Sequence, residues 1–393
     1  NISADIVVEQ SEIDYDDASN TLTTRSYQRF HDAPTTGAGS MGALNGPNAS
    51  NPKSRISTNC NWPDSIGRTQ ATANYGTNGG ETVTRPATIP APSDTVLVSS
   101  ITYDSVGQAI STTDPEGKIN STQYDDLGRQ IRTTQNVTLD GIVTADQNKI
   151  TEYTYNLDSN LTILTCKNSE TGDQITRWIY GTSLENSNIA TTSLLSAKIY
   201  PDSATATDPL APLEANSDRV AYNYNRAAEL TQKTDQNGTT HQYEYDKLGA
   251  LLHDRITTFG NTIDQKIKRI SITYNARRQQ ETVTCYDNAA INTGTQVNQV
   301  QYDYNDFNQA ITDTQAHGQT TDSSSPKVQY TYADGSDNDI RLNKITYPNG
   351  RAIDTIYGAA SSMDDKLSRP SAIKDPAENL EFASYQYLGT STP

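Results

Sequence analysis

The sequence predicts an all-β fold: repetitive antiparallel β-hairpins joined side by side in one growing sheet. Three observations predict it. A Tyr-Asx pair recurs along the chain, a second turn signal falls between pairs, and the aromatic residues are mostly tyrosine, with 23 Tyr against 4 Phe and 2 Trp. Only 33% of the 393 residues are hydrophobic, whereas a typical globular domain carries about 45–50% apolar residues. Such a chain favours a thin structure in which side chains keep one side wet. Tyrosine suits it, with a broad apolar ring, a hydroxyl that still reaches solvent and a preference for strands.

The first element is the Tyr-Asx turn. It appears at Tyr15-Asp16, Tyr103-Asp104, Tyr124-Asp125, Tyr155-Asn156, Tyr224-Asn225, Tyr245-Asp246, Tyr274-Asn275 and Tyr304-Asn305, with a worn copy at Trp62-Pro63-Asp64. Asp and Asn side chains accept a hydrogen bond from the backbone two residues on and so close a turn. Three residues after the Asx stand Gly67, Gly107, Gly128 and Gly249, where glycine tolerates the positive φ of a turn exit. Asn308 fits that slot. Ser19, Ser159, Ala228 and Arg278 do not, so those copies are expected to have altered turns, with Gly128 at positive φ and Ser159 not.

The second element is the opposite turn, eleven residues past the tyrosine: Asp114-Pro115-Glu116-Gly117 and Asp235-Gln236-Asn237-Gly238. Asp first, Pro second and Gly fourth favour a type I turn. Between turns, Thr- and Ile-rich runs such as "QAISTT" and "KINSTQY" read as strands. The pairs Tyr153/Tyr155, Tyr222/Tyr224, Tyr243/Tyr245 and Tyr302/Tyr304 each place two rings on one face. With Tyr103 and Tyr124 they form a tyrosine ladder. The turn residues Asp104, Gly107, Asp114, Gly117, Asp125, Gly128, Asp235, Gly238, Asp246 and Gly249 set the hairpin pitch. One hairpin is marginal in water, so each must lean on the next.

A longer period overlies the hairpins. Tyr103 and Tyr224 are 121 residues apart, as are Tyr124 and Tyr245. Approximate super-repeats cover 103–222 and 224–350, and a third begins near 351. Residues 34–92 read as an irregular, loop-rich insertion, and Tyr200–Asp218 as another loop. No long amphipathic helix is evident. The whole chain, 1–393, is expected to be one continuous array and a fragment of a longer protein.

These motifs carry a resemblance. Tyr124-Asp125-Asp126-Leu127-Gly128-Arg129 resembles the YD repeat of the Rhs-repeat proteins, and Tyr245-Asp246-Lys247-Leu248-Gly249 follows it with Ala250 in place of Arg. The in-phase copies run from about Asp14 to the end. The resemblance implies a long spiralling antiparallel sheet, shaped as a shell, a tube or a solenoid. In toxin-associated members that sheet closes into a shell around a cargo polypeptide. In the animal teneurins a related barrel supports adhesion, and other members are long bacterial surface proteins. The core-ending cleavage segment of the toxin members is not found here. Asp114–Gly117 superficially resembles part of it but lies in phase as a repeat turn.

Function classes narrow accordingly. A net charge of −17 argues against phosphate-mediated nucleic-acid binding. No stretch of about 18 apolar residues marks a membrane helix in this segment. Cys60, Cys166 and Cys285 form no CxxC or Cys/His cluster, so a zinc site lacks support. Phosphate-loop and dinucleotide-binding motifs do not occur; "TGAGSMG" (Thr36–Gly42) reads as a loop. No cofactor and no enzyme activity are expected. Among His31, His241, His253 and His317, a chance Ser/His/Asp meeting is the only catalytic possibility, and His241 reads as a strand residue. Calcium ligands are conceivable at Asp334, Asp337 and Asp339, or at Asp14, Asp16 and Asp17, but turn capping explains both groups more simply. Sequons such as Asn120-Ser121-Thr122, Asn136-Val137-Thr138, Asn160-Leu161-Thr162 and Asn237-Gly238-Thr239 matter only in a glycosylating host. The expected function is structural: an extracellular or cell-surface YD-repeat chain whose partners are itself and its flanking repeats. The alternatives are part of a shell around a C-terminal toxin, and an adhesion module binding glycans or partner cells through its tyrosines.

Overall fold

The structure is a computed structural model that describes residues 6–34, 39–46, 53–181, 189, 191–201, 218–260, 263–332 and 341–387. The fold is all-β and built of antiparallel hairpins. The chain divides into two compact units, one of Asn1–Arg177 with Pro201–Leu213 and another of Trp178–Tyr200 with Glu214–Pro393.

The first unit holds β1 (Glu9–Tyr15), β2 (Thr21–Arg29), β3 (Ser54–Pro63), β4 (Thr69–Asn74), β5 (Leu97–Tyr103), β6 (Ala109–Thr113), β7 (Ile119–Tyr124), β8 (Gln130–Gln135), β9 (Lys149–Tyr155), β10 (Leu161–Cys166) and the start of β11 (Gln174–Tyr180). Each pairs antiparallel with the next, from Gln10 opposite Tyr27 to Thr165 opposite Ile175. The second unit runs likewise through β12 (Leu195–Ile199), β13 (Arg219–Tyr224), β14 (Leu230–Thr234), β15 (Thr240–Tyr245), β16 (Leu251–Thr258), β17 (Arg269–Tyr274), β18 (Gln280–Tyr286), β19 (Gln296–Tyr304), β20 (Ala310–His317), β21 (Lys327–Tyr332), β22 (Leu342–Thr346), β23 (Ala352–Tyr357), β24 (Pro370–Asp375) and β25 (Leu380–Ser384). Short helical turns occur at Asn78–Gly80 and Met363–Lys366. No helix among the described residues is long and apolar enough to cross a membrane.

Strand periodicity separates two kinds of face. In the second unit, Ile272 lies opposite Val283 and Val283 opposite Val300. Tyr330 lies opposite Ile345 and Ile345 opposite Ile353. The other face carries Gln232, Gln242, Arg255 and Arg269 in one cross-strand row, and Thr282, Gln301, Thr314 and Lys327 in another. Opposed residues share a face, so a single register fixes both rows.

One group of buried side chains lies where a loop folds back over the sheet. Cys60, Trp62, Ala71, Ala73, Val83 and Val98 form one core cluster. Val83 and Arg85 come from the loop after β4. Arg85 lies 4.9 Å over the Trp62 ring and donates from Nε to the Asn61 carbonyl, while Trp62 Nε1 donates to the Pro86 carbonyl. The region read as an irregular insertion thus contains the best-packed patch of the first unit.

The Tyr-Asx turns share one geometry. At Asp125 the backbone N–H donates to the Arg129 carbonyl, the Gly128 N–H returns to the Asp125 carbonyl, and Oδ1 accepts from Leu127 N and Arg129 N at 3.0 and 2.9 Å. Gly128 has φ 77°. The expectation of altered turns at the non-glycine copies is wrong. Ser19, Ser159, Ala228 and Arg278 have φ 67°, 63°, 63° and 67°. At Asn156 the same backbone bonds recur, with Ser159 N donating to the Asn156 carbonyl and Asn160 N to Asn156 Oδ1. The Asx side chain and the backbone bonds together define the loop, so they hold whichever residue occupies the fourth position at positive φ. A non-glycine residue there carries strain of about 1–2 kcal/mol, which the closure overrides.

Relieving that strain is measurable. Ala228→Gly should stabilise the protein by up to about 1 kcal/mol, because removing the Cβ outweighs the added chain entropy. Gly128→Val and Ser159→Val should both destabilise it, by roughly 1–3 kcal/mol each. Urea unfolding midpoints check all three; a loss of stability in Ala228→Gly would contradict the forced-turn account.

Candidate functional site

The feature that recurs with chemical regularity is the joint between one hairpin and the next. Its parts are an Asx, the residue four positions later, and a tyrosine from the following hairpin.

Every turn aspartate singled out in the sequence accepts two backbone amides. Asp104 takes Val106 N and Gln108 N, and Asp114 takes Glu116 N and Lys118 N. Asp235 takes Asn237 N and Thr239 N, and Asp246 takes Leu248 N and Ala250 N. Gly107, Gly117, Gly238 and Gly249 sit at φ 97°, 82°, 82° and 83°. The two turn series differ in one respect. Beside each Tyr-Asx turn the register slips by one residue, as between Gln123 and Tyr124 or between Glu244 and Tyr245. The Asp114 and Asp235 hairpins run without a slip. A bulge therefore marks the tyrosine end, where it bends the strand and interrupts the ladder.

The tyrosine hydroxyl bridges that interruption. Tyr103 donates to the carbonyl of Thr69, Tyr124 to Ala109, Tyr155 to Gln130, Tyr245 to Leu230 and Tyr274 to Leu251. Tyr304 donates to Gln280, Tyr332 to Ala310, Tyr357 to Leu342 and Tyr387 to Pro370. Each acceptor is the first residue of its strand. The ladder pairs in register begin two residues further on: β6 and β7 start at Ser111 opposite Ser121, and β14 and β15 at Gln232 opposite Gln242. The hydroxyl supplies a donor where no backbone partner lies opposite, and it ties two successive hairpins together.

Tyr153, Tyr222, Tyr243 and Tyr302, placed in the same ladder from sequence, lie two residues earlier and contribute ring area on the same face. Burial, with the Asp254 charge nearby, pushes the Tyr243 hydroxyl up to about 12. Tyr224 closes β13 at the joint position, and burial raises its hydroxyl pKa too. A pattern that requires Asx after the tyrosine misses Tyr332, Tyr357 and Tyr387, which are followed by Ala333, Gly358 and Leu388. Tyr274 starts a repeat in the sequence and belongs to the ladder as well.

In five of the joints the residue four after the Asx is matched to it in type, whereas Asp16, Asp104 and Asn156 have Asn20, Gln108 and Asn160 there. Asp64 is paired with Arg68 and Asp125 with Arg129, both at 2.7 Å through Nε. Asn225 instead donates to Glu229, Asn275 to Gln279 and Asn305 to Gln309. A carboxylate meets a guanidinium, and an amide N–H meets an oxygen. Arg68 and Arg129 also lie 4.3 and 4.8 Å over the rings of Tyr103 and Tyr155 in the following hairpin. Arg129 further donates to the Asn156 carbonyl and to Ser159 Oγ. Asp246 has Ala250 at that position. Its guanidinium arrives from the next hairpin, where Arg278 reaches back to both carboxylate oxygens and lies 5.6 Å from the Tyr274 ring centre.

The other candidates resolve plainly. His241 Nδ1 meets Asp254 Oδ1 at 2.7 Å, and His253 Nδ1 meets Ser271 Oγ at 3.0 Å. Residues 253 and 254 adjoin in β16 and point to opposite faces, so these are two separate pairs and not a triad. Burial lowers the His253 pKa first, and Arg269 and Arg255 add to it. Asp14 pairs with Arg25 at 2.8 Å, and Asp16 caps its own turn through Ala18 N and Asn20 N. Asp334, Asp337 and Asp339 lie outside the described residues. Among the described residues no group of three or more His, Cys, Asp or Glu could hold a metal ion. The three cysteines are free thiols.

No protein-family model matches the chain, and no curated protein matches it. Solved structures do. A crystal structure of TcdB2-TccC3-Cdc42 is similar at 13% identity and a TM-score of 0.28, covering 94% of this chain and 24% of that one. TcdB2-TccC3 without its hypervariable C-terminal region gives 13% and 0.20, covering 96% and 24%. TcdB2-TccC3 gives 12% and 0.20, covering 98% and 27%. The chain thus spans about a quarter of the length of the chains it matches.

The Asp246–Arg278 link makes a pH prediction. Hydrogen bonds from Arg278, then from Ala250 N and Leu248 N, hold the Asp246 carboxyl well below the usual carboxylate range. A depressed folded pKa gives stability that is present above the unfolded value, near 4, and lost as pH falls below it toward the folded value. Urea midpoints of the wild type should therefore fall more steeply from pH 5 to pH 2 than those of Asp246→Asn. Parallel curves would contradict the assignment.

Proposed function

We propose that this chain is a structural segment of a YD-repeat protein, and that its role is to build an extended or shell-like β-assembly outside the cell. The single observation that carries the proposal is the repeated joint, in which a tyrosine hydroxyl takes the first carbonyl of the preceding hairpin's return strand. A joint of this kind couples neighbours only, so hairpins can be added without enlarging a central core. Its parts are spent on architecture: the Asx on the turn, the arginine on the Asx and the next ring, the tyrosine on the carbonyl. The acidic surface, with a net charge of −17, suits a large solvated wall.

A second reading, one wall of a shell around a C-terminally encoded polypeptide, is favoured by the two-faced sheet. One face of the second unit carries Ile272, Val283, Val300 and Tyr330, and the other carries Thr, Gln and charged residues. Two unlike faces suit a wall with two unlike sides.

Electron microscopy of the native, full-length particle tests both. A continuous β-wall, as a fibre, tube or shell, is the expected result. A closed body with internal density would select the second reading. Separate globular domains on flexible connectors would overturn the proposal.

A further inference from the structure

The second unit contains the same cross-strand pair twice. Tyr243 of β15 lies opposite Asp254 of β16, and Tyr302 of β19 lies opposite Asp313 of β20. Both members are displaced by 59 residues. In the first copy the carboxylate is satisfied from within the chain: His241, two residues before Tyr243, brings Nδ1 to 2.7 Å from Asp254 Oδ1. His241 also stacks on Tyr243, with ring centroids 6.1 Å apart. In the second copy the position of His241 is held by Val300, which has nothing to donate.

Asp313 makes no hydrogen bond or ion pair among the described residues, and it is half-buried. Its cross-strand neighbours are Tyr302 on one side and Val328 on the other, with Tyr330 two residues beyond Val328. Directly opposed side chains have Cβ atoms about 4.5–5.5 Å apart, and diagonal neighbours lie within reach of an aromatic ring. Tyr302 and Tyr330 are both within range of the Asp313 charge: burial raises each hydroxyl pKa first, and Asp313 adds to the rise in both. A half-buried carboxylate that no side chain of the described residues pairs is free to accept a cation from outside. Two electron-rich rings beside it add the other element that favours a cation.

We propose that Asp313, flanked by Tyr302 and Tyr330, is a binding site for an organic ammonium group, occupying the place that His241 fills in the first copy. The carboxylate neutralises the charge and the rings cover the alkyl or methyl groups. The shared chemistry is a cationic nitrogen bearing carbon. It is met by a lysine side chain of a polypeptide or by a quaternary ammonium headgroup.

Calorimetric titration of the intact chain with choline and with N-acetyl-lysine amide tests the site. At least one probe should bind with a dissociation constant below roughly 10 mM, and preference between them identifies the source. Asp313→Asn should weaken binding at least tenfold while keeping the wild-type melting temperature or raising it. Val300→His should weaken binding as strongly with Asp313 left in place, because the new imidazole occupies the carboxylate as His241 does at Asp254. Should Val300→His fail to fold, Asp313→Asn decides alone. The proposal is overturned if neither probe binds the wild type, or if Asp313→Asn binds as the wild type does.

Discussion

A backbone carbonyl without a ladder partner is the constraint on which the rest of this structure depends. Each Tyr-end hairpin carries a bulge at the second residue of its return strand, and the ladder to the next hairpin starts only beyond that bulge, so the first residue has no partner on that side. A half-buried carbonyl left unmade costs about as much as a lost hydrogen bond. The strand of the next hairpin cannot supply a backbone N–H at that point, so it supplies a tyrosine hydroxyl. The reach of a phenol matches the gap, and neither phenylalanine nor serine offers both the length and the donor. Tyrosine usage in this chain is thus a hydrogen-bonding requirement as much as a matter of apolar area.

The second level of organisation is electrostatic and local. Asp64 and Asp125 are matched by Arg four residues on, and Asn225, Asn275 and Asn305 by Glu or Gln, because an Asx whose Oδ1 is committed to backbone amides has one remaining group to satisfy. At Asp246, where Ala250 has nothing to offer, the next hairpin sends Arg278. These pairs are partly exposed and individually weak. Their value lies in register: Arg68 and Arg129 each hold their own turn and lie over the next hairpin's tyrosine. The repeated Tyr–Asp pairs follow the same logic of local matching. Asp254 is met by His241, and Asp313 is the member of the two that the described chain leaves without a partner.

Much of this was legible in the sequence. Asx-turn chemistry depends on residues within four positions of each other, so Asp104, Asp114, Asp125, Asp235 and Asp246 could be placed from the chain alone. Alternating Tyr, Ile and Thr marked the strands. Two features were hidden. The positive φ of Ser159, Ala228 and Arg278 comes from several hydrogen bonds acting together, and single-residue preference pointed the other way. The partners of the tyrosine hydroxyls lie 15 to 34 residues back, at a distance set by loop length and invisible to a local pattern. Tyr357 and Tyr387 show the consequence: without a following Asx they looked unlike the repeat, yet they make its central bond.

The most direct measurement compares two triple variants by urea unfolding of the intact chain. Tyr245, Tyr274 and Tyr304 donate to a preceding strand, and Tyr243, Tyr302 and Tyr330 lie on the same tyrosine-bearing strands or their neighbours without doing so. Changing the first three to phenylalanine removes three carbonyl bonds and should cost about 3 kcal/mol, at roughly 1 kcal/mol each. Changing the second three should cost less than about 1 kcal/mol in total, since ring packing is kept. Equal losses in the two variants would show that the hydroxyl joints do not hold the hairpins together.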